Sequence, residues 1–366
     1  MRRPIVTFMC GCVVSGLLVA ENVWGQNYGN SIAAWGNNSA GQCNVPAPNT
    51  GFIGISAGVY HSLALKSDGT IVAWGWNLHG QCDVPNPNAD FVVVTAGEFH
   101  SLALKATGSI AAWGQNNYGQ CDVPDPNTDF VAVAGGGSHS LGLKADGSIV
   151  VWGWNYYGQC DVPEPNADFV AVAAGGATSL GLKSDGSVAA WGVNWGDVPE
   201  PNAGFVAVAG GGAHSLGLRT DGAVAAWGRN LEGQCNVPAP NTDFVAIGAG
   251  GGHSLALKSD GTIVAWGWNF WGQCDVPAPN ADFVAIAAGG FHSLGIYHAI
   301  YGDMNCDGAV NAFDINGFIL AVASYPDFGV YYEEFPNCDP TAADINRDDV
   351  VNAYDIDPFI ALIAGG

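Results

Sequence analysis

From Phe169 onward, apolar and polar residues alternate with a period of two. Phe-Val-Ala-Val at 169–172 is followed by Ser-Leu-Gly-Leu, by the polar run Lys-Ser-Asp-Gly at 183–186, and by Ser-Val-Ala-Ala-Trp-Gly ending at Gly192. That period puts successive side chains on opposite faces, so each run predicts a short strand with one buried face. Asp-Gly between the second and third runs predicts a tight hairpin, because the turn needs positive φ, where Gly meets no steric penalty. The Pro-x-Pro-Asn segment after each Gly-Gln-Cys is predicted as a connection outside any central strand, since two prolines remove two ladder donors.

The whole pattern recurs. Trp-Gly begins at Trp35, Trp74, Trp113, Trp152, Trp191, Trp227 and Trp266, in steps of 39 residues apart from one of 36. His-Ser-Leu begins at His61, His100, His139, His214, His253 and His292, with Thr178 replacing the histidine in the remaining copy. One small sheet cannot bury both faces alone, so a strand-only repeat of this length predicts a closed ring: an all-β, seven-bladed β-propeller. The first Trp-Gly strand, residues 31–36, and the last His-Ser-Leu strand, residues 292–296, lack partners within their own periods. Pairing of these N- and C-terminal strands makes the seventh blade and leaves no open sheet edge.

The consensus AGGxHSLxLKxDGxxxAWGxNxxGQ resembles the repeat of the regulator of chromosome condensation family, over residues 31 to about 297. The resemblance implies a propeller domain over 27–298. A secreted bacterial relative of the same fold is a β-lactamase inhibitor that uses loops on one propeller face. WD-repeat propellers match less well, because the tryptophan here is followed by Gly in all seven copies. The chain departs from the family at Gly-Gln-Cys-Asp-Val-Pro, where the family continues Gly-Gln-Leu-Gly.

After Tyr301 the period stops and two loops with calcium spacing appear. The first carries Asp303, Asn305, Asp307, Asn311 and Asp314, with the carbonyl of Ala309 at position 7; the second carries Asp344, Asn346, Asp348, Asn352 and Asp355, with the carbonyl of Val350. Oxygens at positions 1, 3, 5, 7 and 12 suit a hard cation that takes six to eight oxygen ligands. Apolar helical segments follow at 315–323 and 356–363. With no helix before either loop, residues 299–366 resemble a type I dockerin, a small α-helical module with two calcium loops, which implies calcium as the ion and a cohesin-like or surface protein as partner. Asp349 stands where position 6 of the second loop is normally Gly, which strains that turn, although Asp enters left-handed conformations more easily than most residues. Positions 10 and 11 are Ala312, Phe313, Ala353 and Tyr354, so the cohesin partner should differ in type from those of cellulose-degrading complexes. Twelve acids against the single base Arg347 would repel one another without a cation, so folding of this module is expected to require calcium. Cys306 and Cys338 are the only cysteines in it, and export favours a disulfide between them worth roughly 3 to 4 kcal/mol.

Charge and the N-terminus narrow the function classes. Arg2 and Arg3, an apolar run to Ala20 and a small-residue exit by Gly25 read as a signal peptide over residues 1–25, so the chain is expected to be secreted or at the cell surface, and the apolar run is too short to span a membrane. The formal net charge is −23. Such a field repels phosphate backbones, so no nucleic-acid partner is expected.

Repeated residues argue against chemistry at the repeats themselves. Cys43, Cys82, Cys121, Cys160, Cys235 and Cys274 occupy one repeat position, a whole blade apart, too far for a disulfide or a shared metal. They read as small buried substitutes for the family's leucine. The six histidines, each preceded by a Gly-rich turn, read as a repeated structural hydrogen bond, and Asp90, Asp129, Asp168, Asp243 and Asp282 as turn residues. Catalysis needs an asymmetric constellation, and the non-repeated His79, Glu98, Arg229 and Glu232 form no recognisable motif.

Variation between copies points to recognition. Within Trp-Gly-x-Asn-x-x-Gly-Gln-Cys the free positions carry Trp76, Tyr118, Trp154, Tyr156, Tyr157, Trp195, Trp268, Phe270 and Trp271. A constant core with one variable aromatic loop suits binding of a protein or a glycan. The same rings also suit gap filling between blades, and the two readings differ in whether the rings face solvent. The copy at 193–197 has lost Gly-Gln-Cys and predicts a notch. The chain therefore reads as a non-catalytic binding propeller, with a carbohydrate-active component of a dockerin-assembled polysaccharide-degrading complex as the alternative. A nucleotide-exchange or chromatin role is disfavoured by the signal, the charge and the absence of a long insertion in any blade.

Overall fold

A computed structural model describes residues 28–300 apart from Asn194, together with Ala321, which is helical and buried. The signal segment, both calcium loops and Cys306 with Cys338 lie outside the described residues.

Among the described residues, twenty-one strands form seven three-stranded antiparallel sheets, the blades. Blade 1 is built from an inner strand Phe52–Ala57, a middle strand His61–Lys66 and an outer strand Ile71–Gly75. Blades 2 to 6 repeat it at residues 91–114, 130–153, 169–192, 205–228 and 244–267. Blade 7 takes its inner and middle strands, Phe283–Ala288 and His292–Ile300, from one end of the chain and its outer strand, Tyr28–Gly36, from the other. The closing pair runs in register from Tyr28↔Ile300 to Gly36↔His292, longer at its outer end than the repeat template predicts.

The core lies between blades. Leu141, Leu143 and Ile149 of blade 3 pack against Phe169, Val172 and Trp191 of blade 4, and the same arrangement recurs around the ring. Full burial of such a side chain stabilises by about 1.5 to 3 kcal/mol, so each blade depends on its neighbour for most of its apolar burial. Around the axis one backbone N–H of each blade donates to the next blade, among them Val59 N to Glu98 O (3.2 Å), Glu98 N to Gly136 O (3.1 Å) and Gly290 N to Gly58 O (2.9 Å).

The proline connections guard the outer edge. Asn88 of Asn-Pro-Asn accepts from Ile71 N and donates to Ile71 O, each at 2.8 Å, and the equivalent asparagine does the same in every blade. A side-chain amide thus takes the place of a fourth strand on an otherwise open edge. Asp90, Asp129, Asp168, Asp243 and Asp282 then enter the next blade at φ between 59° and 67°, and Gly51 and Gly204 stand at the same place in the other two copies. That conformation is why only Asp and Gly occur there.

Candidate binding face and the inter-blade relay

Two features could carry function: the buried polar ring formed by the repeated histidines and the loop face above it. The ring is structural. His61 Nε2 lies 3.1 Å from Ser101 Oγ, His100 Nε2 2.9 Å from Ser140 and His139 Nε2 3.0 Å from Ser179, always in the next blade. Each serine hydroxyl already donates to a glutamine carbonyl, as Ser101 does to Gln81 O at 2.8 Å, so the imidazole donates through Nε2–H and its Nδ1 is the unprotonated nitrogen. The same carbonyl accepts from the indole of Trp113 at 2.9 Å. Nδ1 has no hydrogen-bond partner, and the ring lies close against a glycine: a methyl group on Gly58 would overlap Cε1 and Nδ1 of the His61 imidazole. Burial lowers the histidines to about 4 at His61, His139 and His214 and to about 3 at His100, His253 and His292, so all six are neutral at pH 7. Among the described residues no group of three or more His, Cys, Asp or Glu could hold a metal.

One junction lacks this relay. Between blades 4 and 5, Thr178 replaces the histidine and donates to Val193 O at 3.0 Å, while the shortened loop at 193–197 has no glutamine to serve Ser215 and Trp227. The missing histidine and the missing Gly-Gln-Cys thus fall at one interface. Two departures that look independent along the chain share a site.

The cysteines differ from the sequence reading. They are half-buried, and each Sγ sits near the carbonyl six residues earlier, 3.3 Å from Asn37 O at Cys43 and 3.4 Å from Trp154 O at Cys160. The thiol therefore closes its loop as a weak donor, a role a leucine could not fill. Burial pushes Cys43 and Cys121 up to about 12 and Cys82, Cys160 and Cys274 up to about 11.

The loops after the outer strands and the turns before the middle strands meet at one end of the blades, as Trp76 N donating to Tyr60 O at 2.8 Å shows. Tyr118, Tyr156, Tyr157, Trp195, Phe270 and Trp271 are exposed, Tyr156 by 78% and Phe270 by 73%. Trp76, Trp154 and Trp268 are half-buried, each against other rings. Tyr118, Tyr156 and Tyr157 gather round Trp154, with Tyr156 stacked on it at 10°. A second group forms a continuous belt: Trp268 to Phe291 (5.4 Å between centroids), Phe291 to Tyr60 (5.3 Å), Tyr60 to Trp76 (6.2 Å) and Trp76 to Phe99 (5.4 Å). Tyr60, Phe99 and Phe291 were not among the sequence candidates. Their signal is the residue before each repeated histidine, which is Tyr60, Phe99 and Phe291 on one arc and Ser138, Ala177, Ala213 and Gly252 on the other. The aromatic rings thus concentrate on part of the face. Among the described residues no helix is long and apolar enough to cross a membrane.

The regulator of chromosome condensation (RCC1) repeat matches residues 52–81, 91–120, 130–159, 205–234 and 244–273. The matches leave out blade 4, with its Thr178 and lost loop, and blade 7, divided between the chain ends. The Dockerin type I domain matches residues 301–363. No curated protein matches the chain by sequence. Among solved structures, Prp20p from Saccharomyces cerevisiae, described with its binding properties to Gsp1p and histones, is 18% identical with a TM-score of 0.63, covering 75% of this chain and 92% of its own. Human WBSCR16 is 19% identical with a TM-score of 0.59, covering 73% and 98%. The ectodomain of the Arabidopsis thaliana receptor kinase ACR4 is 24% identical with a TM-score of 0.56, covering 65% and 87%. At these identities the likeness is one of fold. The period, the blade architecture and the two sequence matches together identify the chain as an RCC1-repeat β-propeller joined to a type I dockerin domain.

Proposed function

We propose that the protein is a secreted, non-catalytic binding module: its propeller, residues 27–298, takes a protein or glycan ligand on the aromatic loop face, and its dockerin domain, residues 299–366, docks it to a cohesin-type partner in a calcium-dependent manner. A signal peptide over residues 1–25 would direct its export. The observation that carries this reading is the exposure of Tyr118, Tyr156, Tyr157, Phe270 and Trp271 on one end of an otherwise repeated scaffold. Large rings left in water on a rigid frame contribute contact area at little conformational cost when a partner covers them.

The dockerin donor set fits calcium by its chemistry. Asp303, Asn305, Asp307, Asn311 and Asp314 in one loop, and Asp344, Asn346, Asp348, Asn352 and Asp355 in the other, offer hard oxygen and no sulfur or nitrogen ligand. Bound calcium would supply the positive charge that lets these carboxylates converge. The Cys306–Cys338 disulfide is part of the same proposal.

The test uses the full chain as bait for native surface proteins and glycans, beside a Tyr118→Ala, Tyr157→Ala, Trp271→Ala variant, each with calcium and with a chelator. Propeller ligands should be lost with the triple variant and retained under chelation; dockerin partners should show the reverse. A captured set that is the same under all four conditions would overturn the reading, and turnover of a polysaccharide by the wild type would overturn its non-catalytic part.

A further inference from the structure

The central channel encloses about 190 Å³, and its lining is almost wholly small or apolar. At the turn that follows the inner strand the blades carry Val59, Glu98 and then Gly137, Gly176, Gly212, Gly251 and Gly290. Glu98 is the single charged residue of the lining. The glycines are imposed by the close approach of the blades, since a Cβ on Gly212 would lie 2.6 Å from the carbonyl oxygen of Gly251. The carboxylate reaches over this bare arc: a Cβ on Gly137 would be 3.1 Å, and one on Gly176 3.5 Å, from Glu98 Oε1. Glu98 makes no ion pair and no side-chain hydrogen bond among the described residues, and burial alone raises its pKa above the usual glutamate value. A half-buried carboxylate without a partner is a cost in the free protein that a cation would offset.

Its surroundings favour a cation on an apolar stem. Phe99, the next residue, belongs to the aromatic belt, and Trp76 stands 5.4 Å from it. The bases lie elsewhere: Lys66, Lys105, Lys144, Lys183, Arg219 and Lys258 end the middle strands at the opposite face, each over a phenylalanine ring of its own blade and beside the aspartates of the hairpin turns and strand entries. The loops of the aromatic face hold one base, Arg229, against Asp83, Asp122, Asp161, Asp197, Asp275 and Glu232.

Resting on the aromatic face as the binding surface, we propose that its ligand is a basic protein, one of whose lysine or arginine side chains seats in the channel mouth against the Glu98 carboxylate. The aliphatic stem lies along the small and apolar lining of the channel, and the head group exchanges water for the carboxylate. The acidic loops around the mouth, with Arg229 as their one base, oppose no cation that seats there.

The probe is hexalysine, titrated calorimetrically into the calcium-loaded full chain, with fully Nε-acetylated hexalysine as the uncharged control. Glu98→Gln keeps the shape and removes the charge, whereas Asp185→Asn removes one charge from the exposed opposite face. The expected result is binding of hexalysine alone, weakened about tenfold or more by Glu98→Gln and less than about twofold by Asp185→Asn. Thermal melting of Glu98→Gln should match or exceed the wild type, which separates lost binding from lost folding. Failure of hexalysine to bind, or equal affinity for wild type and Glu98→Gln, overturns the seat. If the Tyr118, Tyr157, Trp271 triple variant loses hexalysine while Glu98→Gln does not, the face stands and the seat falls. If neither changes binding, the peptide is held elsewhere and the seat falls, while the face is judged by the capture of surface proteins and glycans.

Discussion

His292 Nε2 lies 2.9 Å from Ser62 Oγ, joining the last blade to the first across 230 residues of chain. Ser62 in turn donates to Gln42 O at 2.8 Å, so the contact is directional, with the imidazole as donor. Together with the Tyr28–Gly36 strand it closes the ring, and it is one of six equivalent bonds that tie every junction but one.

The relay makes the propeller acid-sensitive. A histidine near 6.5 in the unfolded chain and near 3 to 4 in the fold leaves the native state short of a proton below pH 6.5. Stability is therefore full above about pH 6.5 and falls as pH drops toward 4, each group contributing a slope of about 1.4 kcal/mol per pH unit. Equilibrium denaturant unfolding at pH 7, 6, 5 and 4 should show a steep decline across that window. A flat profile down to pH 4 would mean that the histidines are not buried as neutral donors.

The junction between blades 4 and 5 is expected to be the weakest seam. It lacks the histidine and the glutamine carbonyl, so opening there breaks fewer buried polar contacts than elsewhere. Hydrogen exchange at native pH should deprotect the middle and outer strands of blade 5, Ser215 and Trp227 included, before those of blade 2 or 3. Uniform protection around the ring would contradict this.

Asn88 holds the edge of blade 1 through two hydrogen bonds to Ile71. Replacing it with alanine leaves both backbone groups without that partner and should cost about 1 to 3 kcal/mol. At roughly 2 to 4 °C per kcal/mol the loss is readable as a fall in melting temperature. Asn88→Asp, which keeps an acceptor but places a carboxylate beside Ile71 O, should not rescue it.

The six propeller thiols should be slow to alkylate although they are only half-buried. With burial holding five of them at about 11 to 12, the reactive thiolate is scarce at pH 8. Iodoacetamide labelling followed by peptide mass spectrometry should find the native chain slower by about a hundredfold or more than the denatured chain at these positions. Rates within a few-fold of the denatured chain would mean that the loops open often.

The number of blades, the hairpins and the joining of the two ends were legible in the sequence, because each rests on short-range regularities: the two-residue alternation, Asp-Gly at fixed offsets, and markers seven times repeated. The dockerin domain was legible for the same reason, since its signature is carried by short segments of sequence. What passes between blades was not. The His-to-Ser bonds join residues 40 apart, one more than the period, and only the packed ring shows that a histidine answers to the serine of the next copy. The cysteines looked like leucine substitutes because a composition pattern carries no hydrogen-bond direction. Tyr60, Phe99 and Phe291 sit in a different segment of the repeat from Trp76 and Trp268, so no local pattern links them; folding and packing of the blades bring them to one face. Local periodicity determined the blade, and the close approach of neighbouring blades decided which polar groups it buries and which aromatic rings it leaves in water.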